Sequence, residues 1–141
     1  MPLADDLVGR TYTSPAPYEV SRAKIAEFAA AVGDPNPAYT HPDNAKVVAP
    51  PTFPIVIVMD LLSAMLADLG VPLHKIMHAD QKFAYARPIR PGDRLSATLA
   101  IETIRSMGGT DLVITRTTVA TEDGEQVCTT SATVVHKGEP A

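Results

Sequence analysis

Residues 53–70 read FPIVIVMDLLSAMLADLG, and this apolar stretch decides the fold of the 141-residue chain. Thr52 is a suitable N-cap, Pro54 is tolerated in a first turn that makes no use of its missing N–H, and Gly70 ends the helix. Because apolar residues occur on nearly every face, we expect the helix to be buried on nearly every face. Two aspartates and a length below the roughly 20 residues that span a bilayer indicate a core helix rather than a membrane span.

Four extended segments follow the long helix, at roughly 74–87, 93–106, 111–121 and 126–137. In the second of them, apolar residues at 95, 97, 99 and 101 alternate with small or polar ones, which is typical of a strand with one covered face. The pairs Gly108-Gly109 and Asp123-Gly124 predict tight hairpin turns. This order predicts an α+β fold in which a curved antiparallel sheet wraps a long central helix. Its edge strand would be open, so we expect a homodimer or a heterodimer with a homologous chain.

The composition excludes several classes of protein. The length predicts one domain, residues 1–141, and 45% hydrophobic with 20% charged residues is typical of a globular chain. A net charge of −4 argues against a nucleic-acid partner, and no signal-like segment or membrane span is recognisable. The single Cys128 cannot form an internal disulfide, so we expect a cytoplasmic protein. Four scattered histidines lack the spacing of metal ligands, and we expect neither a metal nor a cofactor.

The segment before the long helix combines a first helix with a proline-rich loop. From Tyr18 to Val32 the pattern is helical, with Ser21 as N-cap and Gly33 as terminator. Residues 34–51, DPNPAYTHPDNAKVVAPP, are rich in proline, asparagine and aspartate and predict an ordered loop with short turns. Binding and catalytic residues often lie on such loops, so this is the candidate site.

Three segments carry a family resemblance: GDPNPAYTHPDNA (33–45), VVAPPTF (47–53) and HADQKFAYARPIRPGDRL (78–95). Their order resembles the MaoC-like (R)-specific hydratase/dehydratase family, most closely its actinobacterial branch of acyl-carrier-protein dehydratase subunits from type II fatty acid synthesis. The resemblance covers residues 9–137. It implies a hot-dog fold and a lyase that acts on 3-hydroxyacyl or enoyl thioesters of acyl carrier protein (ACP) or coenzyme A.

The resemblance also identifies candidate catalytic residues. Active members carry Asp-x-Asn-Pro-x-His in this loop, and the Asp and His form the catalytic dyad. Here Asp34, Asn36 and Pro37 match the motif, but Tyr39 stands where the histidine would be. A tyrosine with a pKa of about 10 is a poor base at neutral pH, so the dyad is half present. His41 is the next histidine along the chain and the other candidate catalytic residue.

Dehydration also requires hydrogen-bond donors for the enolate oxygen, and backbone N–H groups at a helix start serve this purpose. The N–H groups of Thr52 and Phe53 are the candidates. The predicted substrate-binding residues are Asn36, Tyr39, Pro51, Thr52, Phe53 and His78. Structural alternatives stay open, because Asp34 could cap a turn, Tyr39 could pack over the loop and His78 could lie on the sheet surface.

The densest positive segment contains Lys82, Arg87, Arg90 and Arg94. Acyl carriers and coenzyme A are anionic, and arginine binds phosphate well, so this segment could hold the carrier. The alternative is an ordinary solvated strand and hairpin.

Three functions remain open at this point. In the leading hypothesis, the chain is a subunit that binds the acyl group along the central helix, and a homologous partner supplies the complete dyad. In the second, a self-sufficient homodimer uses His41 as the base opposite Asp34. In the third, the protein binds acyl thioesters or stabilises another subunit without catalysis.

Overall fold

The computed structural model describes residues 5–138, and the outermost residues of the expected domain, 1–4 and 139–141, lie outside this range. Within it, two α-helices and six strands form. The helices are α1 (Arg22–Ala31) and α2 (Ile55–Leu69). The strands are β1 (Thr11–Thr13), β2 (Tyr18–Glu19), β3 (Ile76–Tyr85), β4 (Arg94–Met107), β5 (Thr110–Thr121) and β6 (Gln126–Lys137).

The strands form a single antiparallel sheet in the order β1-β4-β5-β6-β3, and β2 also pairs with β4. Both predicted hairpins are present: Met107 pairs with Thr110 across the two glycines, and the Thr121 N–H donates to the Glu125 carbonyl at 2.9 Å. The register shifts once in each of the pairings β3–β6, β4–β5 and β5–β6, where an extra residue on β3, β4 and β6, respectively, increases the local bend. The predicted α+β arrangement of a long helix against a curved sheet is confirmed.

Helix α2 packs its apolar face against β4, but it is not buried on every face as its sequence suggested. Its buried residues are Ile57, Val58, Leu61, Leu62, Met65 and Leu66. An opposite stripe that includes Asp60, Ser63 and Asp68 is exposed, because small and polar side chains recur there with helical spacing. Thr52 is not the N-cap either. The helix begins after Pro54, whose side chain makes no capping bond, whereas Gly70 ends it as expected with φ 69°.

Helix α1 sets the start of the candidate loop. Ser21 caps the helix by accepting from the Lys24 N–H at 3.0 Å, as its sequence predicts. Phe28 packs edge-on against Phe53 with ring centroids 5.6 Å apart, which links α1 to the residues just before α2. Gly33, with φ 74°, turns the chain out of the helix and directs it into the loop.

Strand β3 provides the open edge that the sequence predicted. It pairs with β6 on one side, and the described residues place no strand on its other side. Most of its ten residues are exposed, including Met77 at 69%. A long strand with free backbone N–H and C=O groups is suited to pairing with another chain.

Neither helix within residues 5–138 has the length and apolarity needed to cross a membrane.

Candidate functional site

The loop between α1 and α2 is ordered by its own asparagine and aspartate side chains. It contains two short 3-10 turns, Pro37–Tyr39 and Asn44–Lys46. The Asn36 Oδ1 caps the first turn by accepting from the Ala38 N–H, and the Asp43 Oδ1 caps the second by accepting from the Ala45 N–H, both at 3.0 Å. The sequence prediction of an ordered loop with short turns is therefore confirmed.

Asp34 and Tyr39, the two residues at the dyad positions, contact each other directly. The Tyr39 hydroxyl donates to the Asp34 Oδ2 at 3.2 Å, and the Asn36 N–H donates to the Asp34 Oδ1 at 3.1 Å. Tyr39 is 6% exposed, and its burial, together with the bond to Asp34, raises the pKa of its phenol. Tyr39 is therefore a neutral donor at physiological pH and cannot act as a general base.

A pocket of ≈ 470 Å³ opens beside this pair. Its wall on the loop side includes Asn36, Tyr39 and Pro51, three of the predicted substrate-binding residues. The opposite wall comes from the end of β3 and the residues after it, including Tyr85, Ala86 and Pro88. No residue of α2 is among those that line it, so the pocket lies near the start of the helix rather than along it.

Tyr85 joins the two walls of the pocket. Its hydroxyl donates to the Pro51 carbonyl at 2.5 Å, which ties the end of β3 to the segment before α2. Burial raises the pKa of Tyr85 well above its ordinary value, so this phenol is also neutral. Sequence reasoning missed Tyr85, and its only signal was an aromatic residue at the end of a strand just before the Ala-Arg-Pro segment.

Arg87 lines the pocket, and its charge is balanced by carboxylates. Its guanidinium donates to both carboxylate oxygens of Asp93, at 2.9 and 3.1 Å, and to those of Glu125, at 3.2 and 3.3 Å. These bonds raise the pKa of Arg87 and keep it charged at any physiological pH. Arg94 is similarly paired, with Glu122 and Glu19. Arg87 and Arg94 therefore form ion pairs within the chain, and the structure does not leave them free to bind an anionic carrier.

Comparison with known proteins identifies the family. A model of the FAS1-like dehydratase domain region matches residues 6–130. The chain belongs to this family. A UPF0336 protein of Streptomyces coelicolor is 50% identical over 137 residues, which cover 92% of this chain and 91% of that protein. A UPF0336 protein of Thermobifida fusca is 40% identical over 147 residues, which cover 99% and 97%.

Solved structures place this FAS1-like dehydratase chain among the MaoC-like proteins. The (3R)-hydroxyacyl-ACP dehydratase complex HadBC of Mycobacterium tuberculosis contains a chain with a TM-score of 0.80 and 28% identity, and the match covers 92% of this chain and 97% of that one. A MaoC-like dehydratase matches with a TM-score of 0.82 and 33% identity, over 96% of this chain and 43% of the longer one. The hot-dog fold and the MaoC-like resemblance predicted from the sequence are therefore confirmed.

His41 is not brought against Asp34 in this FAS1-like dehydratase chain. Its Nδ1 accepts from the Asp43 N–H at 2.9 Å, and its backbone carbonyl accepts from the Arg22 guanidinium. Both carboxylate oxygens of Asp34 are bonded to other groups, and His41 is not among the residues that line the pocket. The pairing that the second hypothesis requires is therefore absent from residues 5–138 as described.

Three other predicted residues are not among those that line the pocket, although the first of them directly follows the lining residue Pro51: Thr52, Phe53 and His78. Phe53 is fully buried, and its N–H donates to the Pro50 carbonyl at 2.9 Å. His78 is exposed on β3, with its Nε2 3.1 Å from the Asp80 carbonyl oxygen. Among the described residues, no group of three or more His, Cys, Asp and Glu side chains could hold a metal ion.

Proposed function

We propose that this chain is the acyl-binding subunit of a (3R)-hydroxyacyl-thioester dehydratase/enoyl hydratase, and that a homologous partner supplies a complete Asp/His dyad. The observation that carries the proposal is the Tyr39–Asp34 hydrogen bond of 3.2 Å at the dyad positions, next to an apolar pocket. The family membership supports dehydratase chemistry, and the tyrosine explains why a second chain is needed for it.

The chemistry requires a base for the α-proton, donors for the enolate oxygen and an acid for the departing hydroxyl. A base that works near pH 7 has a pKa close to 7, and the pKa of Tyr39 is above its ordinary 10. The Phe53 N–H is already bonded to Pro50, so in our proposal the Thr52 N–H is the enolate donor from this chain. The partner then provides the imidazole and its carboxylate.

The pocket supports the acyl-binding role. Its volume, ≈ 470 Å³, falls within the range typical of small-ligand sites. Ala38, Val48, Ala49 and Pro88 contribute apolar surface to its walls. Asn36 and Tyr39 add polar atoms at the end nearest to Asp34. This distribution suits an acyl chain whose functional end points towards the residues at the dyad positions.

The open edge of β3 supports the partner role. HadBC is a complex of two chains, and a chain of that complex shares the fold of this one. In our proposal β3 pairs with the corresponding strand of a homologous hot-dog chain, which satisfies the free backbone groups of the edge.

Cys128 is buried and unpaired, which supports a reducing compartment, and we propose the cytoplasm.

The test is reconstitution with a homologous chain that carries Asp-x-Asn-Pro-x-His intact. We expect the two chains to co-purify, and we expect the mixture, but neither chain alone, to hydrate a medium-chain enoyl thioester. Changing the partner's dyad aspartate to asparagine abolishes this activity, whereas Asp34→Asn in this chain preserves most of it. Strong activity of this chain alone that is insensitive to Asp34→Asn would refute the division of labour. Ligand-induced thermal stabilisation without turnover in any mixture would instead indicate a non-catalytic acyl binder.

A further inference from the structure

Three cationic side chains surround the loop segment 40–46, and we call them the cationic rim: Arg22, Lys46 and Arg90. They come from three parts of the chain, the start of α1, the second 3-10 turn of the loop, and the connection between β3 and β4. Lys46 and Arg90 are exposed and Arg22 is half-buried. The fold therefore brings cationic side chains that are far apart in sequence to the same loop segment.

The two arginines of the rim are held in place by the loop backbone. Arg22 Nη2 donates to the Thr40 carbonyl at 3.3 Å and also to that of His41. Arg90 Nη1 donates to the Ala45 carbonyl at 3.3 Å. A guanidinium has five N–H donors, so these bonds position each group and leave further donors for a ligand. Anchored guanidinium groups are suited to phosphate, which they bind through two parallel hydrogen bonds.

The rim adjoins the pocket. Lys46 lies two residues before Val48, and Arg90 two residues after Pro88, and both of these neighbours line the pocket. The Ala49 N–H donates to the Ile89 carbonyl at 2.8 Å, which holds the two segments side by side. Lys46 and Arg90 therefore lie beside the part of the pocket wall that Val48 and Pro88 form.

The charge of the rim is not neutralised within the described residues. Four cations elsewhere in the described residues have carboxylate partners: Arg10, Lys24, Arg87 and Arg94. No ion pair is formed by Arg22, Lys46 or Arg90 in residues 5–138. Two carboxylates lie close by: Asp43 is exposed in the same loop, and Asp93 accepts from the Arg90 backbone N–H at 2.9 Å but is already paired with Arg87. The site thus has a local excess of positive charge in a chain whose net charge is −4, which attracts an anion.

We propose that the cationic rim binds the phosphate-bearing end of the pantetheine arm that carries the acyl group. The inference rests on the proposed function, because it assumes an acyl thioester in the pocket. With the acyl chain inside, the flexible arm emerges over the rim and its phosphate meets Arg90 and Lys46. Coenzyme A and an acyl carrier protein both present a phosphate at this end of the arm, so the chemistry is shared and the source is decided by experiment.

The test compares phosphate-bearing and phosphate-free ligands on the full chain. Affinities are measured for three thioesters of the same medium-chain acyl group, carried by coenzyme A, by a phosphopantetheine-bearing acyl carrier protein, and by pantetheine without phosphate. We expect Arg90→Gln and Lys46→Gln each to weaken the phosphate-bearing ligands about three- to tenfold, and to leave pantetheine binding unchanged. Arg90→Lys retains most of the affinity. The matched control is Arg116→Gln, which removes an exposed arginine from β5, away from the pocket, and should change nothing.

Binding of one phosphate-bearing ligand and not the other identifies the source, and either result supports the rim. Equal affinity for pantetheine and its phosphorylated forms would overturn the proposal, as would an equal loss in Arg116→Gln or no measurable binding of either phosphate-bearing ligand to the unmodified chain. Hydration of a phosphate-free N-acetylcysteamine thioester by the reconstituted complex tests the proposed function separately. If that reaction proceeds but the rim variants do not change the affinity for any phosphate-bearing ligand, the rim proposal fails and the proposed function stands.

Discussion

The hydroxyl of Tyr39 lies 3.2 Å from the Oδ2 of Asp34 and donates to it. The two residues are five positions apart, and the 3-10 turn Pro37–Tyr39 brings the second one back to the first. The turn thus directs the side chain of residue 39 towards Asp34, so a proton-donating phenol occupies the position from which a histidine could act as a base. The consequences of this relationship can be measured.

Tyr39→His is expected to give the isolated chain hydratase activity. The substitution places an imidazole beside a carboxylate at the edge of the pocket, and general base catalysis contributes about a hundredfold or more to rate. We expect enoyl-thioester hydration at least about tenfold above that of the unmodified chain, since the rest of the site is not optimised for it. The measurement is a spectrophotometric hydration assay on the chain alone.

Two controls make that result specific. Tyr85→His places an imidazole on the other wall of the same pocket, away from Asp34, and should give no activity. Asp34→Asn in the Tyr39→His background should remove the gained activity. Equal activity of the Tyr39→His and Tyr85→His chains would show that proximity to Asp34 is irrelevant.

His41→Ala is expected to change the activity of the reconstituted complex less than about twofold. The imidazole serves the loop locally, because its Nδ1 accepts from the Asp43 N–H at 2.9 Å. Losing that bond should lower the free energy of unfolding by about 1 kcal/mol, the usual contribution of one hydrogen bond. The competing homodimer hypothesis requires a loss of at least about a hundredfold in kcat with little change in Tm. Steady-state kinetics and thermal unfolding on the same preparations separate the two.

The sequence predicted the loop and the sheet well because their signals are local. The asparagine, aspartate and proline residues of 34–51 favour turns by bonding to nearby backbone, and the structure contains those bonds. The walls of the pocket depend on longer-range information. Tyr85 reaches Pro51 across 34 positions of sequence, and no pattern along the chain encodes that contact.

The residues of β3 that share a face of the sheet could not be predicted from period-2 spacing in the sequence. The register shift between His78 and Asp80 changes which side chains share a face. After the shift, the face of His78 continues with Gln81, Phe83 and Tyr85. The four residues pair with Val134, Ala132, Thr130 and Cys128 of β6. Simple alternation from His78 would have placed residues 80, 82 and 84 there instead. A single bulge therefore moved Tyr85 to the pocket side, and its position is a property of the sheet.

Asp68 is expected to contribute stability at neutral pH that is lost in acid. It accepts from the Tyr12 hydroxyl at 2.6 Å and from Arg10 at 2.9 Å, which joins α2 to β1 and the residue before it. The bond from Tyr12 has the largest effect and the bond from Arg10 the next largest. Together they hold the pKa of Asp68 below its ordinary value of 3.8. Because the folded pKa is the lower one, the stabilisation is complete above 3.8 and disappears as the pH falls through the folded value.

Asp68→Asn should therefore lower the urea midpoint at pH 7, and the difference from the unmodified chain should shrink towards about pH 3. The matched control is Asp60→Asn, which changes another exposed aspartate on α2. It should shift the midpoint little at either pH. A difference between Asp68→Asn and the unmodified chain that stays constant from neutral to acid pH would contradict the assignment.

Ala86→Phe is expected to block acyl binding without unfolding the protein. Ala86 is exposed, lines the pocket and follows β3 directly, so a phenyl ring there occupies the space proposed for the acyl chain. We expect the affinity for a medium-chain acyl thioester and the kcat/KM of the complex to fall at least about tenfold, with Tm nearly unchanged. Ala84→Phe is the control, because Ala84 is also exposed, at the end of the same strand, but is not part of the pocket. If Ala84→Phe reduced binding as much as Ala86→Phe, the acyl chain would lie elsewhere on the molecule.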